Sequence, residues 1–277
     1  MASDPGHSRG VLNHLIIVCC HAIYIGGPAH GATENEWMIE HFQRGETPTF
    51  IKHAQAGLQV LAKDPQALLV FSGGPTKKPR TDLSEGQSYQ NLVRENAYFQ
   101  QELKIATIDP SRIITECNAT DSYQNVLFSL LRFRAHASVY PKRITVVTHA
   151  FKRDRFMDCH FPAIGLLPRL RTEMHRHAQM VSVIGIDPPE EVTPLDSLIL
   201  GEALRGIGVW KGDPYGVGSV LANKRIDRGW IPETMQEICG DGVFEPIVEQ
   251  LMKWQGGSWN EWFPMMAKLP WYYGNSP

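Results

Sequence analysis

The chain has 277 residues, 43% of them hydrophobic and 20% charged, and a formal net charge of −2 at pH 7. This composition is typical of a globular protein with a large core, and so weak a net charge excludes a general electrostatic attraction to nucleic acid or to anionic membranes. Five cysteines without a CxxC pair argue against a disulfide framework and favour reduced thiols.

The first ten residues do not resemble a signal sequence. They are polar, include Pro5 and Gly6, and lack a basic segment followed by an apolar one. No apolar run approaches the roughly 20 residues that a membrane-spanning helix needs. We therefore expect a cytoplasmic protein without a membrane or nucleic-acid partner.

Short apolar runs alternate with segments of helical periodicity along most of the chain. The predicted strands lie at residues 15–18, 67–71, 112–115, 143–148 and 180–186. The predicted helices lie at residues 34–43, 84–103, 121–135 and 152–161, with a further helix that starts at Thr47 and Pro48. This alternation favours right-handed crossovers and a parallel sheet. The predicted fold is therefore α/β, a Rossmann-like three-layer sandwich with a mostly parallel sheet of about five strands.

Beyond Pro188 the pattern changes to helices and an aromatic tail. The helices are predicted at residues 190–205, 218–228, 232–238 and 244–254, and seven aromatic residues lie between Trp254 and Tyr273. An exposed tail of this kind would aggregate, so we expect it to pack back on the domain or on a second subunit of a homo-oligomer. The chain is thus divided into a Rossmann-like domain at residues 12–228 and a helical extension at residues 229–277, packed on that domain.

Small and polar residues follow four of these strands at the point where each strand ends. They are Cys19, Cys20 and His21; Ser72, Gly73 and Gly74; Glu116; and Thr148 and His149. In open parallel sheets, ligands bind just beyond the carboxyl ends of the strands. The sequence therefore predicts a polar pocket at this edge of the sheet, with Ser72 and Thr148 among its ligand-binding residues.

The segment after Ser72 is suited to an anion. Gly73 and Gly74 would let backbone N–H groups approach a ligand, and the next helix, with Ser84 as its N-cap, adds partial positive charge. A tight turn without a ligand is the alternative for the two glycines. The segment is not a P-loop and lacks the GxGxxG spacing, so a standard dinucleotide fingerprint is missing.

Two acidic residues are candidate acid/base groups. Glu85 begins a helix at the mouth of the predicted pocket, and Glu116 ends a buried strand, where a carboxylate needs a partner or a raised pKa. Thr120 and Asn125, at the start of the next helix, are candidate ligand-binding residues.

Lys152 and Arg155 share one face at the start of a helix, where cations oppose the macrodipole. We expect an anion to compensate them. This anion is either a ligand phosphate or carboxylate, or a structural ion-pair partner such as Glu116 or Asp158.

Three histidines, His21, His53 and His149, are candidates for a general base, and a structural role is the alternative for each. Neither HExxH nor a clustered His/Asp spacing is present, so no metal site is predicted. The predicted catalytic residues are Glu116, Glu85, His21 and His149.

The order and spacing of these motifs resemble the YdcF/SanA-like family over roughly residues 12–228. The matching positions are Ser72, Gly73, Gly74, Ser84, Glu85, Glu116, Thr120, Asn125, Thr148 and Arg155. The chain departs from the family pattern at Ala119, Asp121, Gln124 and Lys152, the last of which stands where the family has histidine. Motifs around His21 and between Asp213 and Arg225 are similar to a mostly fungal branch of the family.

The resemblance implies a Rossmann-like domain with a polar pocket and a nucleotide-like ligand, S-adenosylmethionine included. Asp213, Tyr215 and Arg225 are candidates for closing this pocket from the C-terminal side. The first functional hypothesis is a soluble enzyme, a transferase or hydrolase, that acts on an anionic small molecule by acid/base chemistry. The alternatives are a non-catalytic sensor that binds a nucleotide or S-adenosylmethionine, and a scaffold whose aromatic tail contacts a partner.

Overall fold

The computed structural model describes residues 11–169, 180–239 and 244–275, without the side chains of Gln236, Cys239 and Asn275. The central sheet contains the parallel strands β1 (His14–Cys19), β4 (Ala67–Ser72), β5 (Ile113–Glu116), β6 (Arg143–Thr148) and β7 (Val181–Gly185). A separate antiparallel pair consists of β2 (Ile23–Tyr24) and β3 (Trp37–Met38). The sheet strands coincide with the apolar runs of the sequence, which confirms the predicted α/β fold class.

The sheet strands lie in the order β5-β4-β1-β6-β7. The chain extends from the central β1 through β4 and β5 on one side, and then places β6 and β7 on the other side. Val18 of β1 accordingly has Phe71 and Val147 as its neighbours in the two adjoining strands. Such a change of direction opens a crevice at the carboxyl ends of the two strands involved, here β1 and β6, and ligands bind there in doubly wound sheets.

Helices cover both faces of the sheet. They are α1 (Thr47–Lys63), α2 (Glu85–Glu95), α3 (Gln100–Leu103), α4 (Ser122–Ala137), α5 (Arg153–Arg155), α6 (Phe161–Ala163), α7 (Leu195–Arg205), α8 (Ile207–Trp210), α9 (Ser219–Asp227), α10 (Pro232–Cys239) and α11 (Pro246–Met252). Leu15 and Ile17 of β1 pack with α4 and the C-terminal segments, whereas Ile16 and Val18 pack with α1 and α2. Over the described residues, none of the helices has both the length and the apolar character that crossing a membrane requires.

The prediction of a helix at residues 34–43 is wrong. Two 3-10 turns, Glu34–Glu36 and His41–Gln43, flank β3 instead. The buried Glu36 carboxylate accepts two N–H groups of the preceding loop, at 2.7 and 2.6 Å, and the Trp37 ring packs on β2. These contacts hold the backbone extended between the two turns, so tertiary structure overrides a weak helical pattern.

The long helix predicted at residues 84–103 is divided in two. After α2, Ala97, Tyr98 and Phe99 have φ angles of 47°, 57° and 52°, and α3 follows. Left-handed backbone is unfavourable for residues with a Cβ atom. Burial of the Phe99 ring in the cluster beneath α1 and α2 compensates for this strain.

Two further helices differ from their predictions. The segment predicted at residues 152–161 consists of α5, a π-helical turn (Phe156–His160) and α6. The helix predicted at residues 190–205 begins only at Leu195, directly after Pro194. π-helical turns are rare and occur frequently at functional sites.

The aromatic tail packs on the hydrophobic cluster that contains α4. Phe263, Leu269 and Trp271 are buried in this cluster, and the Trp271 Nε1–H donates a hydrogen bond to the carbonyl oxygen of Ile164 at 2.7 Å. Trp259 differs from them, since it is 87% exposed. The tail therefore contributes to the core of the domain.

Candidate functional site

A cavity of about 510 Å³ opens at the carboxyl ends of β1 and β6, in the crevice that the strand order creates. The first residues of α2 and α4 form part of its wall, and α7 and α9 close the opposite side. The predicted site residues in its lining are His21, Glu85, Thr120, Asn125, Thr148, His149, Lys152, Arg155 and Arg225. Those outside the lining are Ser72, Gly73, Gly74, Ser84, Glu116, Asp213 and Tyr215.

Glu116 lies behind the cavity wall and joins the strand ends. Its carboxylate accepts hydrogen bonds from Ser72 Oγ at 2.6 Å and from the N–H groups of Asn118 and Ala119 at 2.6 and 3.0 Å. The Asn125 Nδ2 group donates to Ser72 Oγ at 2.9 Å. Burial raises the pKa of Glu116 to about 7, although these hydrogen bonds favour the carboxylate. Both oxygens are engaged, so the geometry indicates a structural role for Glu116.

The N–H groups of Gly73 and Gly74 are not available to an anion, contrary to the expectation from the sequence. The Gly73 N–H group donates to the last carbonyl of β5 at 3.0 Å, and the Gly74 N–H group donates to the Ala119 carbonyl at 2.7 Å. The two glycines allow close packing instead. A Cβ atom on Gly73 would lie 2.7 Å from Glu85 Oε2, and one on Gly74 would lie 3.0 Å from the Ala119 carbonyl oxygen.

Glu85 reaches the cavity from the first turn of α2. This helix is capped by Ser84, whose Oγ accepts the N–H group of Gln87 at 3.0 Å. The buried Glu85 carboxylate accepts a hydrogen bond from Thr76 Oγ1 at 2.5 Å. Burial raises the pKa of Glu85 to about 7, against the effects of Thr76 and of nearby cations. Glu85 is therefore present in both protonation states near neutral pH, as a general acid or base requires.

Lys152 presents a cation to the cavity. Its ammonium group forms no ion pair with any carboxylate in the described parts of the chain. Burial and the neighbouring Arg155 lower the pKa of Lys152 to about 8. Lys224, on the more exposed rim formed by α9, has its pKa lowered to about 8 by desolvation and by Arg228. For both lysines burial is the largest cause, and the neighbouring arginines add to it against the opposite effect of Glu202.

Arg155 and Arg225 are already paired in the cavity wall. The Arg155 guanidinium makes a bidentate ion pair with Glu202 of α7, in which Nε lies 2.7 Å from Oε1. The Arg225 Nε–H group donates to Asp121 Oδ2 at 2.5 Å, and Asp121 is also the N-cap of α4. Lys152 differs from these two arginines because it lacks such a partner among the described residues.

His21, His53 and His149 pack against one another beside Lys152. The ring centroid of His149 lies 4.4 Å from that of His21 and 4.9 Å from that of His53. Burial lowers the pKa of all three, that of His53 to about 4, and the charge of Lys152 adds to the effect. The His53 Nε2–H group donates to the Ile186 carbonyl at 2.8 Å, whereas both ring nitrogens of His149 lack a hydrogen-bond partner among the described residues.

No group of three or more His, Cys, Asp or Glu side chains is placed to hold a metal ion within residues 11–169, 180–239 and 244–275.

Asp213 and Tyr215 stabilise the C-terminal region from outside the lining. The Asp213 carboxylate accepts the N–H groups of Val217 and Gly218 at 3.0 and 2.9 Å. The Tyr215 hydroxyl oxygen accepts the N–H group of Phe263 at 2.8 Å. Their effect on the cavity is therefore indirect, through the segment that precedes α9.

Several cavity residues were not singled out as site residues from the sequence. Lys77 pairs with Glu40 at 2.5 Å, and Glu46 Oε2 lies 3.9 Å from His149 Nε2. Glu202 pairs with Arg155 and is the only residue of α7 that is buried. A carboxylate facing inward from a helix with exposed leucines is the signal that could have identified Glu202, but it becomes visible only once the orientation of α7 is known.

Comparison with known proteins identifies a relative in yeast. No protein-family model matches the chain, and no solved structure matches it. The chain is 26% identical over 260 residues to a protein of Saccharomyces cerevisiae described as uncharacterized protein YOR238W, and the match covers 77% of this chain and 82% of the yeast protein. The name of that yeast protein assigns it no function.

Proposed function

We propose that the protein is an enzyme that binds a phosphorylated or carboxylated small molecule in this cavity and acts on it by acid/base chemistry. The observation that carries the proposal is Lys152, a partly buried ammonium group at the crevice of the sheet without an ion-pair partner among the described residues. An unpaired charge in such a place is unfavourable, and an anionic ligand compensates for it.

The surrounding charges support an anion as the ligand. Arg155 and Arg225 are balanced by carboxylates of the protein. Burial raises the pKa of Glu46, and it raises that of Glu85 to about 7, so Glu85 carries only part of a negative charge at neutral pH. The charge of Lys152 therefore remains available to a phosphate or carboxylate.

Glu85 and the two cavity histidines supply the acid/base groups. A neutral imidazole can accept a proton, and a protonated carboxyl group can donate one. His21 and His149 are neutral near pH 7 because burial lowers the pKa of both, and the pKa of Glu85 is close to neutrality. We leave Glu116 out of this set, since its oxygens are bound to Ser72 and to loop amides.

We also propose membership of the YdcF/SanA-like family, a nucleotide-like ligand such as S-adenosylmethionine, and a cytoplasmic location. The support for the family is that Ser72, Glu116 and Asn125, which lie far apart in the sequence, form one hydrogen-bond network at the strand ends. The support for the ligand is that its phosphate or carboxylate group would form the ion pair with Lys152 that no described carboxylate of the protein forms.

A thermal-shift titration with inorganic phosphate and with nucleotides tests the binding step. We expect stabilisation of RT ln(1 + [L]/Kd), which is about 2.7 kcal/mol when the ligand is in about hundredfold excess over Kd. Lys152→Met should lose most of this stabilisation because it removes the unpaired cation. Lys142→Met, at an exposed position before β6, should keep it.

Equal stabilisation of Lys152→Met and the wild type would contradict the proposed site. Mass spectrometry of the same mixtures tests the enzymatic step. Tight binding without any product would favour the non-catalytic sensor over the enzyme.

A further inference from the structure

We propose that Ser122 is a nucleophile, activated by His160, that accepts the phosphoryl group of a phosphate monoester bound in the cavity. The inference rests on the proposed function, because the anion site at Lys152 brings the phosphoryl group to Ser122. Ser122 is the first residue of α4 and lines the cavity. His160 is the last residue of the π-helical turn and is fully buried behind it.

The hydroxyl group of Ser122 is hydrogen-bonded to both His160 and Arg155. Ser122 Oγ lies 2.7 Å from His160 Nε2, and Arg155 donates a hydrogen bond to the same oxygen at 3.2 Å. A guanidinium group can only donate, so Ser122 Oγ accepts from Arg155. In the Nδ1–H tautomer of His160, which the proposal requires, Ser122 Oγ donates its proton to His160 Nε2. A serine hydroxyl that donates to a neutral imidazole is the arrangement of an activated nucleophile.

Aromatic rings hold His160 in place for this role. The ring centroids of Phe156 and Trp210 lie 5.2 and 4.6 Å from that of His160, both nearly perpendicular to it. The Nδ1 atom has no hydrogen-bond partner among the described residues, so Ser122 is the polar contact that the structure shows for this ring. The π-helical turn thus directs one imidazole nitrogen towards the cavity lining.

An anionic substrate assists the proton transfer. Burial and the charges of Arg155 and Arg225 lower the pKa of His160, which keeps the imidazole neutral before a substrate binds. A phosphate group near Arg155 offsets the repulsion between this arginine and an imidazolium ion. The pKa of His160 therefore rises when the substrate is bound, and His160 becomes a stronger base.

The surroundings of Ser122 suit phosphoryl transfer in particular. Ser122 begins a helix of 16 residues, and the N-terminus of a long helix carries partial positive charge. Lys152, which has no ion-pair partner among the described residues, lies in the same cavity lining. Fixed positive groups of this kind stabilise the charge on the oxygens of a transferring phosphoryl group.

The reaction has two balanced steps. In the first, Ser122 Oγ forms a bond to phosphorus, the bond from phosphorus to the ester oxygen breaks, and the serine proton passes through His160 Nε2 to the departing alcohol. In the second, a water molecule transfers a proton to His160 and attacks the phosphoserine. Inorganic phosphate leaves, and the proton returns to Ser122 Oγ. The net change is hydrolysis of the ester by one water molecule.

p-Nitrophenyl phosphate is the probe for this reaction. We expect a rapid burst of p-nitrophenolate equal to the amount of enzyme, and an acid-stable phosphate on Ser122 in tandem mass spectrometry of the quenched protein. Ser122→Ala should lose both signals. His160→Gln should slow the burst by a factor on the order of 10² to 10⁴, the usual contribution of a general base.

Ser129→Ala is the matched control, since Ser129 lies on the same helix α4, is fully buried and lies outside the cavity lining. Its burst and its phosphoserine should equal those of the wild type. Absence of phosphate from Ser122 in the wild type, or an unchanged burst in Ser122→Ala, would overturn the proposal.

Stabilisation by inorganic phosphate, measured on the same preparations, separates the two possible failures. If phosphate stabilises the wild type but no phosphoserine forms, the nucleophile is wrong and the anion site stands. If phosphate does not stabilise the wild type, the proposed function fails and the nucleophile fails with it.

Discussion

Glu85 and Glu116 have different environments although burial raises the pKa of both to about 7. Glu116 is enclosed by three hydrogen-bond donors, two of them backbone N–H groups. Glu85 accepts one side-chain hydrogen bond and faces the cavity. A similar pKa therefore accompanies a structural arrangement in Glu116 and the proposed acid/base role in Glu85.

We predict that Glu116→Ala destabilises the fold. The substitution leaves buried donors without an acceptor, and each such group costs about 1–3 kcal/mol, so the free energy of unfolding should fall by about 3 kcal/mol or more. Urea denaturation measures this change. Asp82→Ala is the control, because the Asp82 side chain is 96% exposed and its loss should change stability by less than about 0.5 kcal/mol. A Glu116→Ala protein as stable as the wild type would refute the structural role.

Glu85 should make stability depend on pH. Its pKa in the folded state, about 7, is above the ordinary value of 4.5, so the folded state binds the proton more tightly than the unfolded chain. This contribution is complete below pH 4.5 and is lost as the pH rises through 7. Glu85 should therefore contribute a fall of up to about 3 kcal/mol in the free energy of unfolding between about pH 5 and pH 8. The buried histidines, whose pKa is lowered, contribute a rise over the lower part of this range.

Glu85→Gln should reduce that fall, because glutamine does not titrate in this range. Urea denaturation at the two pH values provides the comparison. Glu233→Gln, at an exposed position of α10, should retain the wild-type dependence. The same pH dependence in Glu85→Gln as in the wild type would show that Glu85 does not titrate as described.

At the scale of elements, α7 is held to the domain through a carboxylate. Glu202 is its only buried residue, whereas Ile199, Leu200 and Leu204 are more than half exposed, at 53, 60 and 61%. The stability of most helices depends on the packing of an apolar face. In α7 the ion pair between Glu202 and Arg155 replaces such packing.

We predict that Glu202→Ala loosens α7 without unfolding the sheet. Hydrogen–deuterium exchange of residues 195–205 should accelerate, while β1, β4 and β6 should keep their protection. Asp196→Ala, at an exposed position of the same helix, should leave the exchange of α7 close to that of the wild type. Unchanged exchange in Glu202→Ala would mean that other contacts hold the helix.

The sheet could be predicted from the sequence, whereas several helices and much of the site could not. β1 and β4 are buried on both faces, so each is an unbroken apolar run that a local pattern reveals. The helix predictions at residues 34–43 and 84–103 were wrong near Trp37 and Phe99. At both places a contact of the aromatic side chain with another element determines the backbone conformation. The pairing of Arg155 with Glu202 likewise joins segments that are 47 residues apart, and no local spacing encodes it.

The proximity of Ser122 and His160 could not be predicted from the sequence either. Ser122 follows the N-cap of α4 and is unremarkable in the sequence, and His160 follows no strand end. A π-helical turn, which the sequence did not indicate, brings the imidazole to the hydroxyl. By contrast, His21 and His149 could be placed in the cavity because they directly follow predicted strands.

At the scale of the whole molecule, the tail contributes to one core with the α/β domain. We predict that Trp271→Ala lowers the free energy of unfolding by about 3–5 kcal/mol, since Trp271 is buried with Leu269 and Phe263. Trp259→Ala should have little effect on stability because Trp259 is 87% exposed. Chemical denaturation measures both, and equal effects of the two substitutions would contradict this description of the tail.

Light scattering on the same two variants tests the expected homo-oligomer. If the tail contacts a second subunit through Trp259, which is 87% exposed, Trp259→Ala should lower the molar mass in solution. An unchanged oligomeric state in Trp259→Ala would remove this tryptophan from such an interface.

The central position of β1 has a consequence for biosynthesis. β1 is translated before both of its neighbours in the sheet, β4 on one side and β6 on the other. At roughly 5 to 20 residues per second, β6 emerges roughly 4 to 15 s after β4. Until then one edge of β1 is unpaired in the nascent chain, and the cluster around α4 stays uncovered until Trp271 is translated. Chaperones that bind apolar segments should therefore act on this protein during synthesis, and most strongly before β6 appears.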